Sequence, residues 1–275
     1  MKESTKRITT GFLYVVALLI VLALRNPIVD SCFIVFISLI GIYEYNKAFK
    51  TKGYNIIPFI GYLSCFGIFF MGGSIDNSLK MNILRIMIPI TLVIMFVYIL
   101  IKKLEINIVD LALTAFSIIY VPFLFSFIKL LFLMPHGRIL VILAFVCSAA
   151  TDTFAYEIGS RFGKHKLSPI VSPKKSVEGS IAGVIGTVIC CSILAYVTNT
   201  YFQTDFNIIL MGIMGIIFSI VGQIGDLAAS SIKRYCGVKD FSNLLPGHGG
   251  ILDRFDSVMF ISPMVYVFIT LISML

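Results

Sequence analysis

The chain has 275 residues, of which 58% are apolar and only 13% charged. A soluble domain carries about 25% charged residues, so there is too little charge here to cover a water-facing surface, which excludes soluble globular, disordered and coiled-coil classes. Lys and Arg number 22 against 14 Asp and Glu, a net charge of +8, and in so apolar a chain that excess points to cytosolic loops and anionic headgroups rather than to nucleic acid.

An apolar helix of about 20 residues crosses the hydrocarbon, so the composition predicts an all-α polytopic integral membrane protein. Apolar runs between Pro, Gly and charge clusters give about nine transmembrane helices, near 9–24, 28–46, 55–72, 83–101, 109–133, 139–158, 178–198, 208–230 and 257–274. The first follows Lys2 to Arg7 in the order of a signal sequence. Because Arg25-Asn26-Pro27 then follows without a small-residue cleavage site, it reads as an uncleaved span. The fifth carries Pro122 and is expected to kink or break there. About five spans fall in 1–138, and 139–275 is expected to form a catalytic region with two long loops. The cysteines Cys32, Cys65, Cys147, Cys190, Cys191 and Cys236 contain no C-x-x-C pair and read as small buried apolar residues.

Cytosolic loops are the Lys/Arg-rich ones. With the N-terminus inside, 17 basic residues fall in inner loops, Lys47, Lys50 and Lys102 among them, against Arg25, Lys80, Arg85 and Arg138 outside. This predicts a multi-pass protein of the cell membrane, N-terminus and active site on the cytosolic side. The two loops long enough for a site, about 159–177 and 231–256, both fall there.

Ionisable groups inside spans are costly and are therefore candidates for function. Asp152 is expected about six residues from the inner end of span six, some 9 Å deep at 1.5 Å per residue, with Asp226 at a similar depth in span eight. Asp253 and Asp256, three apart, share a helix face at the entrance to span nine. Each could instead cap a helix or pair with a basic loop. Around them stand Ser230-Ser231-Ile232-Lys233-Arg234, Lys239-Asp240 and Pro246-Gly247-His248-Gly249-Gly250-Ile251-Leu252-Asp253-Arg254-Phe255-Asp256. Carboxylates are the hard oxygen donors Mg²⁺ prefers, Lys and Arg balance a polyphosphate, and glycines let backbone N–H groups approach it. The combination suits metal-assisted phosphoryl or nucleotidyl transfer, while His248 alone reads equally as a loop residue. The other loop carries Asp152-Thr153-Phe154-Ala155-Tyr156, Gly159 to Lys166, and Ser172-Pro173-Lys174-Lys175-Ser176-Val177-Glu178-Gly179, either phosphate-contacting or simply basic and rigid. Gly179 and Gly183 offer a small-residue helix contact, within one bundle or between copies.

These residues resemble a known family. Ser230 to Asp256 fits the phosphatidate cytidylyltransferase (CDP-diacylglycerol synthase) signature S-x-x-K-R-x(4)-K-D-x(5)-P-x-H-G-G-x-x-D-R-x-D at every fixed position, and Asp152 to Gly179 is similar to that family's second motif region. The resemblance implies transfer of the cytidylyl group of CTP to phosphatidic acid, giving CDP-diacylglycerol and diphosphate. It implies Mg²⁺, in company with K⁺, held by Asp226, Asp253 and Asp256. The remaining catalytic residues it implies are Lys233, Arg234, Lys239, Asp240, His248 and Arg254. It puts Asp152, Lys174, Lys175, Ser176, Glu178, Gly249 and Gly250 on the substrate side and suggests a homodimer. The alternatives are a CTP-dependent polyprenol- or phytol-type lipid kinase, which would release CDP, and a secondary transporter, which should show internal repeats and midplane charges. The H-x-G-H motif of soluble cytidylyltransferases does not occur.

Overall fold

A computed structural model describes residues 15–70, 77–102, 105–245, 247, 249–272 and 274. The start of the expected first span, the basic residues Lys2, Lys6, Arg7 and Lys103, and His248 lie outside the described residues. In chain order the elements are α1 (Val15–Leu24), α2 (Pro27–Thr51), α3 (Pro58–Phe70), α4 (Asn77–Ile101), α5 (Ile108–Ile118), a π-helical turn Ile119–Phe123, α6 (Leu124–Leu133), α7 (Gly137–Phe162), β1 (Lys166–Ser168), β2 (Ser172–Ser176), α8 (Val177–Phe202), α9 (Ile208–Cys236) and α10 (Leu252–Ile272).

Among the described residues six helical stretches are long and apolar enough to cross a membrane: α2, the continuous Ile108–Leu133, α7, α8, α9 and α10. Val15–Leu24, Pro58–Ile68 and Ile88–Ile101 are shorter apolar helices at the expected first, third and fourth spans. On α8 the isoleucines 181, 185, 189 and 193 form a stripe of four-residue spacing, each about half exposed, a surface that suits lipid and not water. The chain is a multi-pass membrane protein.

Three details differ from the sequence reading. Pro122 does not break its helix, because a π turn takes up the missing N–H and the chain stays helical from Ile108 to Leu133. The helices also run beyond the expected ends, α2 to Thr51, α7 to Phe162 and α9 to Cys236. In α7 the Arg161–Glu157 pair at 2.7 Å supports the added turn, and the helix ends at Gly163. Asp152 and Asp226 each therefore stand ten residues from a helix end, about 15 Å along the axis. Finally, the loop after α7 is not irregular: β1 and β2 pair antiparallel, Lys166 opposite Ser176 and Ser168 opposite Ser172, so the otherwise helical fold carries one small hairpin.

The chain divides into two compact units, Met1–Leu130 with Cys236–Leu252, and Leu131–Tyr235 with Asp253–Leu275. In the first, α2 packs on α3 and on the π turn, and Gly41 makes room for the latter: a Cβ there would lie 2.8 Å from Val121 Cγ1. The start of α5 is fixed by a capping box between Asn107 and Asp110, and Asp110 also accepts from the Asn55 N–H at 2.8 Å. The buried Lys129 donates to the Pro27 carbonyl at 2.8 Å.

In the second unit α7 and α8 approach until only glycine fits. A Cβ on Gly183 would come within 2.9 Å of the Thr151 carbonyl, and one on Gly179 within 2.6 Å of the Ala155 carbonyl. Small residues are what let helices pack without water. Polar pins set the register inside the bundle: Thr151 meets the Thr187 hydroxyl at 2.7 Å and donates to Ser219 at 2.9 Å, tying α7 to α8 and α9. Ser180 on α8 donates to Gln223 of α9 at 2.5 Å. Cys147 and Cys191 pack sulfur to sulfur at 3.4 Å, and all six cysteines are free thiols.

Candidate active site

The chemistry-bearing residues of the second unit come from four pieces of chain. Glycine governs the first juxtaposition. A Cβ on Gly225 would lie 2.6 Å from the Asp256 carbonyl, and one on Gly222 2.8 Å from Ile261, so α9 and α10 meet almost backbone to backbone. The residue after Gly225 is Asp226, whose charge acts on Asp256 in α10. Asp256 senses the charges of Asp226, Lys233 and Asp152, and Asp152 those of Asp226, Lys175 and Arg254. Three helices thus contribute one carboxylate each to a single electrostatic neighbourhood.

The hairpin supplies the opposing charge. Strand residues alternate in direction, so Lys175 points away from its neighbours and forms an ion pair with Asp226. Lys174, by contrast, is exposed. Ser176 is buried, ends the strand and caps α8, its hydroxyl accepting from the Gly179 N–H at 3.2 Å. Glu178 in the first turn of α8 accepts from the backbone of Lys164 at 3.1 Å and meets His165 Nδ1 at 2.6 Å, closing the loop between α7 and the hairpin. Arg234 Nε reaches the Val171 carbonyl at 3.3 Å, so the last turn of α9 holds the hairpin tip. Ser230 donates to Asp226 Oδ1 at 3.4 Å.

Lys233 and Asp253 form a second pair, Nζ to Oδ1 at 2.6 Å, with side chains only 10% and 2% exposed. Removing one partner would strand a buried charge, so this contact fixes where α9 ends against the start of α10. Phe255, fully buried, packs edge-on against Phe145 at 5.7 Å, which leaves Arg254 and Asp256 on the more accessible faces of that turn.

The first unit holds the rest of the signature. Lys239 and Asp240 are exposed in the segment after α9. Gly247 and Gly249 both take φ of +83°, a left-handed conformation that glycine adopts without strain, and Leu245 donates its N–H to the Gly249 carbonyl at 2.9 Å. This tight turn is anchored by a residue of α2. Glu44, wholly buried, accepts from the Ser242 hydroxyl at 2.6 Å, the Ile251 N–H at 2.9 Å and the Leu252 N–H at 2.8 Å. A carboxylate on the first N–H groups of α10 suits the positive end of that helix. Gly250 lies so close that any Cβ would run into the carboxylate.

The geometry therefore gathers Asp152, Lys175, Asp226, Lys233, Asp253, Arg254 and Asp256 in the second unit. It gives Ser176, Glu178 and Arg234 structural contacts there, and leaves Lys174 in solvent. Sequence reasoning did not weigh Glu44 as a site residue. Its signal was present, an acid inside a long apolar span, but its partners lie about 200 positions away in sequence.

The profile of the cytidylyltransferase family matches residues 5–272. The chain belongs to the cytidylyltransferase family. It is 40% identical over 221 residues to a phosphatidate cytidylyltransferase of Staphylococcus saprophyticus, covering 77% of this chain and 80% of that protein. It is 41% identical over 169 residues to that of Staphylococcus haemolyticus and 42% identical over 171 residues to that of Staphylococcus aureus strain COL, in both cases covering 61% of this chain and 62% of the relative. Both loops that carry the site lie inside the matched family region.

Oxygen-only donors fit the divalent ion such enzymes are expected to use. Asp226 and Asp256, with Asp152 beside them, form a like-charged set that needs a countercharge, and carboxylates are what Mg²⁺ accepts. In this structure Lys175 supplies that charge to Asp226, and among the described residues no group of three or more His, Cys, Asp or Glu side chains is placed to hold a metal ion by itself, so substrate phosphates would have to complete the donor set.

Proposed function

We propose that this chain transfers the cytidylyl group of CTP to phosphatidic acid, giving CDP-diacylglycerol and diphosphate, on the cytosolic face of the cell membrane. Family membership carries the reaction class. What supports the site is the ion pair of Lys175 with Asp226 and the electrostatic influence of Asp226, Lys175 and Arg254 on Asp152 and of Asp226, Lys233 and Asp152 on Asp256. Two substrates that both bear phosphate must be brought together, so the residues needed are those that balance negative charge and align it.

A phosphatidate oxygen attacks the α-phosphorus of CTP in line. The new O–P bond forms as the bond to the β-phosphate oxygen breaks, and diphosphate departs with that electron pair. The nucleophile is already an anion, so no strong general base is required. Asp226 and Asp256, with Asp152 beside them, would hold Mg²⁺, which would supply charge neutralisation for the phosphates. Lys175 leaves Asp226 for a substrate phosphate, Arg254 faces the same anions, and Lys233 stays buried to hold Asp253. Placement on the cytosolic face rests on the 17 to 4 division of basic residues, and a homodimer on the resemblance.

The test is a purified-protein assay with CTP and phosphatidate in mixed micelles, with and without Mg²⁺, following lipid and nucleotide products. CDP-diacylglycerol with diphosphate is expected. Release of CDP with a phosphorylated lipid would replace this reading with the lipid kinase. Asp226→Asn is expected to remove nearly all turnover while the protein stays folded, and near-normal turnover would remove Asp226 from the site.

A further inference from the structure

The first unit contains a cavity of about 660 Å³ that the reaction does not use, lined by the end of α2, the Tyr54–Pro58 connection and the end of α4. Its size is that of a small-molecule site. On its wall Asn46 has both side-chain amide atoms buried without a hydrogen-bond partner among the described residues. Buried polar groups are nearly always satisfied, so this amide, sealed from water behind the wall, gains partners by turning toward a polar group that the cavity admits. Three lysines, Lys47, Lys50 and Lys102, are among the residues lining the same cavity, against one acid, Glu105. Among the described residues none of the three lysines has an ion-pair partner; Lys47 lies over the Tyr43 ring at 5.8 Å. The site is therefore cationic and has an unmet polar demand, which an anion with phosphate-like acceptors and hydroxyl donors would meet.

The surroundings select the source of that anion. On the α3 side Phe59, Leu63 and Phe66 are 67%, 50% and 48% exposed, and on the α4 side Val97, Leu100 and Ile101 are 46%, 72% and 69% exposed. These faces suit acyl chains, and they end at Pro58 and Lys102, on the cavity. Tyr62 and Tyr98 line it as well, amphipathic rings of the kind found at headgroup level. Lys47 and Lys50 lie in the last turns of α2 and Lys102 just after α4, at the helix ends whose basic charge reads as cytosolic, the side of the anionic leaflet. We infer that this cavity binds the phosphate of an anionic glycerolipid headgroup, Lys47, Lys50 and Lys102 holding the charge and Asn46 the headgroup oxygens. This assignment is independent of the reaction proposed above, since it uses no residue of the acidic cluster.

The chain has no Trp, so Tyr62→Trp creates a single reporter on the cavity wall. The full chain carrying it is placed in micelles with brominated phosphatidylglycerol or brominated phosphatidylcholine, and fluorescence quenching is read. Preferential quenching by phosphatidylglycerol is expected. Lys47→Gln/Lys50→Gln/Lys102→Gln should abolish the preference, at about fivefold per lysine, and Asn46→Ala should weaken it roughly two- to tenfold. The three lysines are exposed, so helical content measured by circular dichroism should be unchanged. No preference in the parent reporter, or a preference that survives in the folded triple variant, overturns the inference. A preference removed by inorganic phosphate but not by chloride of equal ionic strength also overturns it, assigning the cavity to a water-soluble phosphate.

Discussion

Glu44 connects the longest-range contacts around the Gly-rich turn, and its removal tests whether that turn is built as described. Its carboxylate accepts three hydrogen bonds in a fully buried setting, two of them from the Ile251 and Leu252 backbone. In Glu44→Ala the Ser242 hydroxyl can rotate to another acceptor, but the two N–H groups cannot. At about 1–3 kcal/mol for each stranded donor, the loss is about 2–6 kcal/mol, and losing a charge at a helix N-terminus adds about 0.3–1 kcal/mol. Glu44→Gln keeps the volume and one acceptor oxygen, so it strands one N–H at about 1–3 kcal/mol and loses the same charge at about 0.3–1 kcal/mol. For a chain of this length those losses lower Tm by roughly 5–15 °C and 2–8 °C respectively, read by circular dichroism in detergent. Gly250 provides the internal control. Gly250→Ala collides with the carboxylate in the parent, but in the Glu44→Ala background the space is vacated, so the two losses should be less than additive. If Glu44→Ala melts with the parent, or if the two substitutions simply add, the carboxylate does not hold this turn.

Breaking the buried Lys233–Asp253 pair by Lys233→Met alone should cost about 3–5 kcal/mol. Lys233→Met/Asp253→Leu should recover much of that stability without recovering cytidylyl transfer, and equal melting of the single variant and the parent would refute the buried-charge reasoning. Gly225→Ala introduces a Cβ 2.6 Å from the Asp256 carbonyl, so it should destabilise by about 1–3 kcal/mol and lower kcat as Asp226 is displaced; unchanged kcat would separate this helix contact from the site. For orientation, Lys174→Cys on the exposed hairpin strand should react with an impermeant maleimide in inside-out vesicles above the parent's labelling, and not in right-side-out ones; the reverse pattern would overturn the cytosolic placement.

The helices were legible because hydrocarbon thickness imposes a length and a composition that any apolar run must meet. Their ends were not, because the extra turns of α2, α7 and α9 are polar and are held by contacts such as Arg161–Glu157, which hydropathy counts against a helix. The acids of α7, α9 and α10 stood out by their cost in an apolar setting. Which of them meet was not legible. Spacing alone put Asp253 and Asp256 on one face, whereas the folded chain turns Asp253 to Lys233 and brings Asp256 to Asp226 and Asp152. That choice depends on Gly225, whose missing side chain lets α9 and α10 touch, and a glycine in a span carries no such message by itself. Gly179 and Gly183 were recognisable as a contact stripe, but only the fold shows that α7 is the helix they receive.

The two lysine–aspartate pairs of the second unit differ in a way that bears on their chemistry. Lys233–Asp253 is almost sealed, whereas Lys175 and Asp226 are each 24% exposed. A sealed pair pays a large desolvation cost if either member moves, while a pair open to water exchanges partners at little cost. Lys175 also sits on a short two-stranded hairpin, an element that is only marginally stable by itself and is held at its tip by Arg234. The mobile member of each function is thus separated from the fixed one. Lys233 and Asp253 set the position of α10, and under the reaction proposed above Lys175 is the member that exchanges Asp226 for an arriving phosphate.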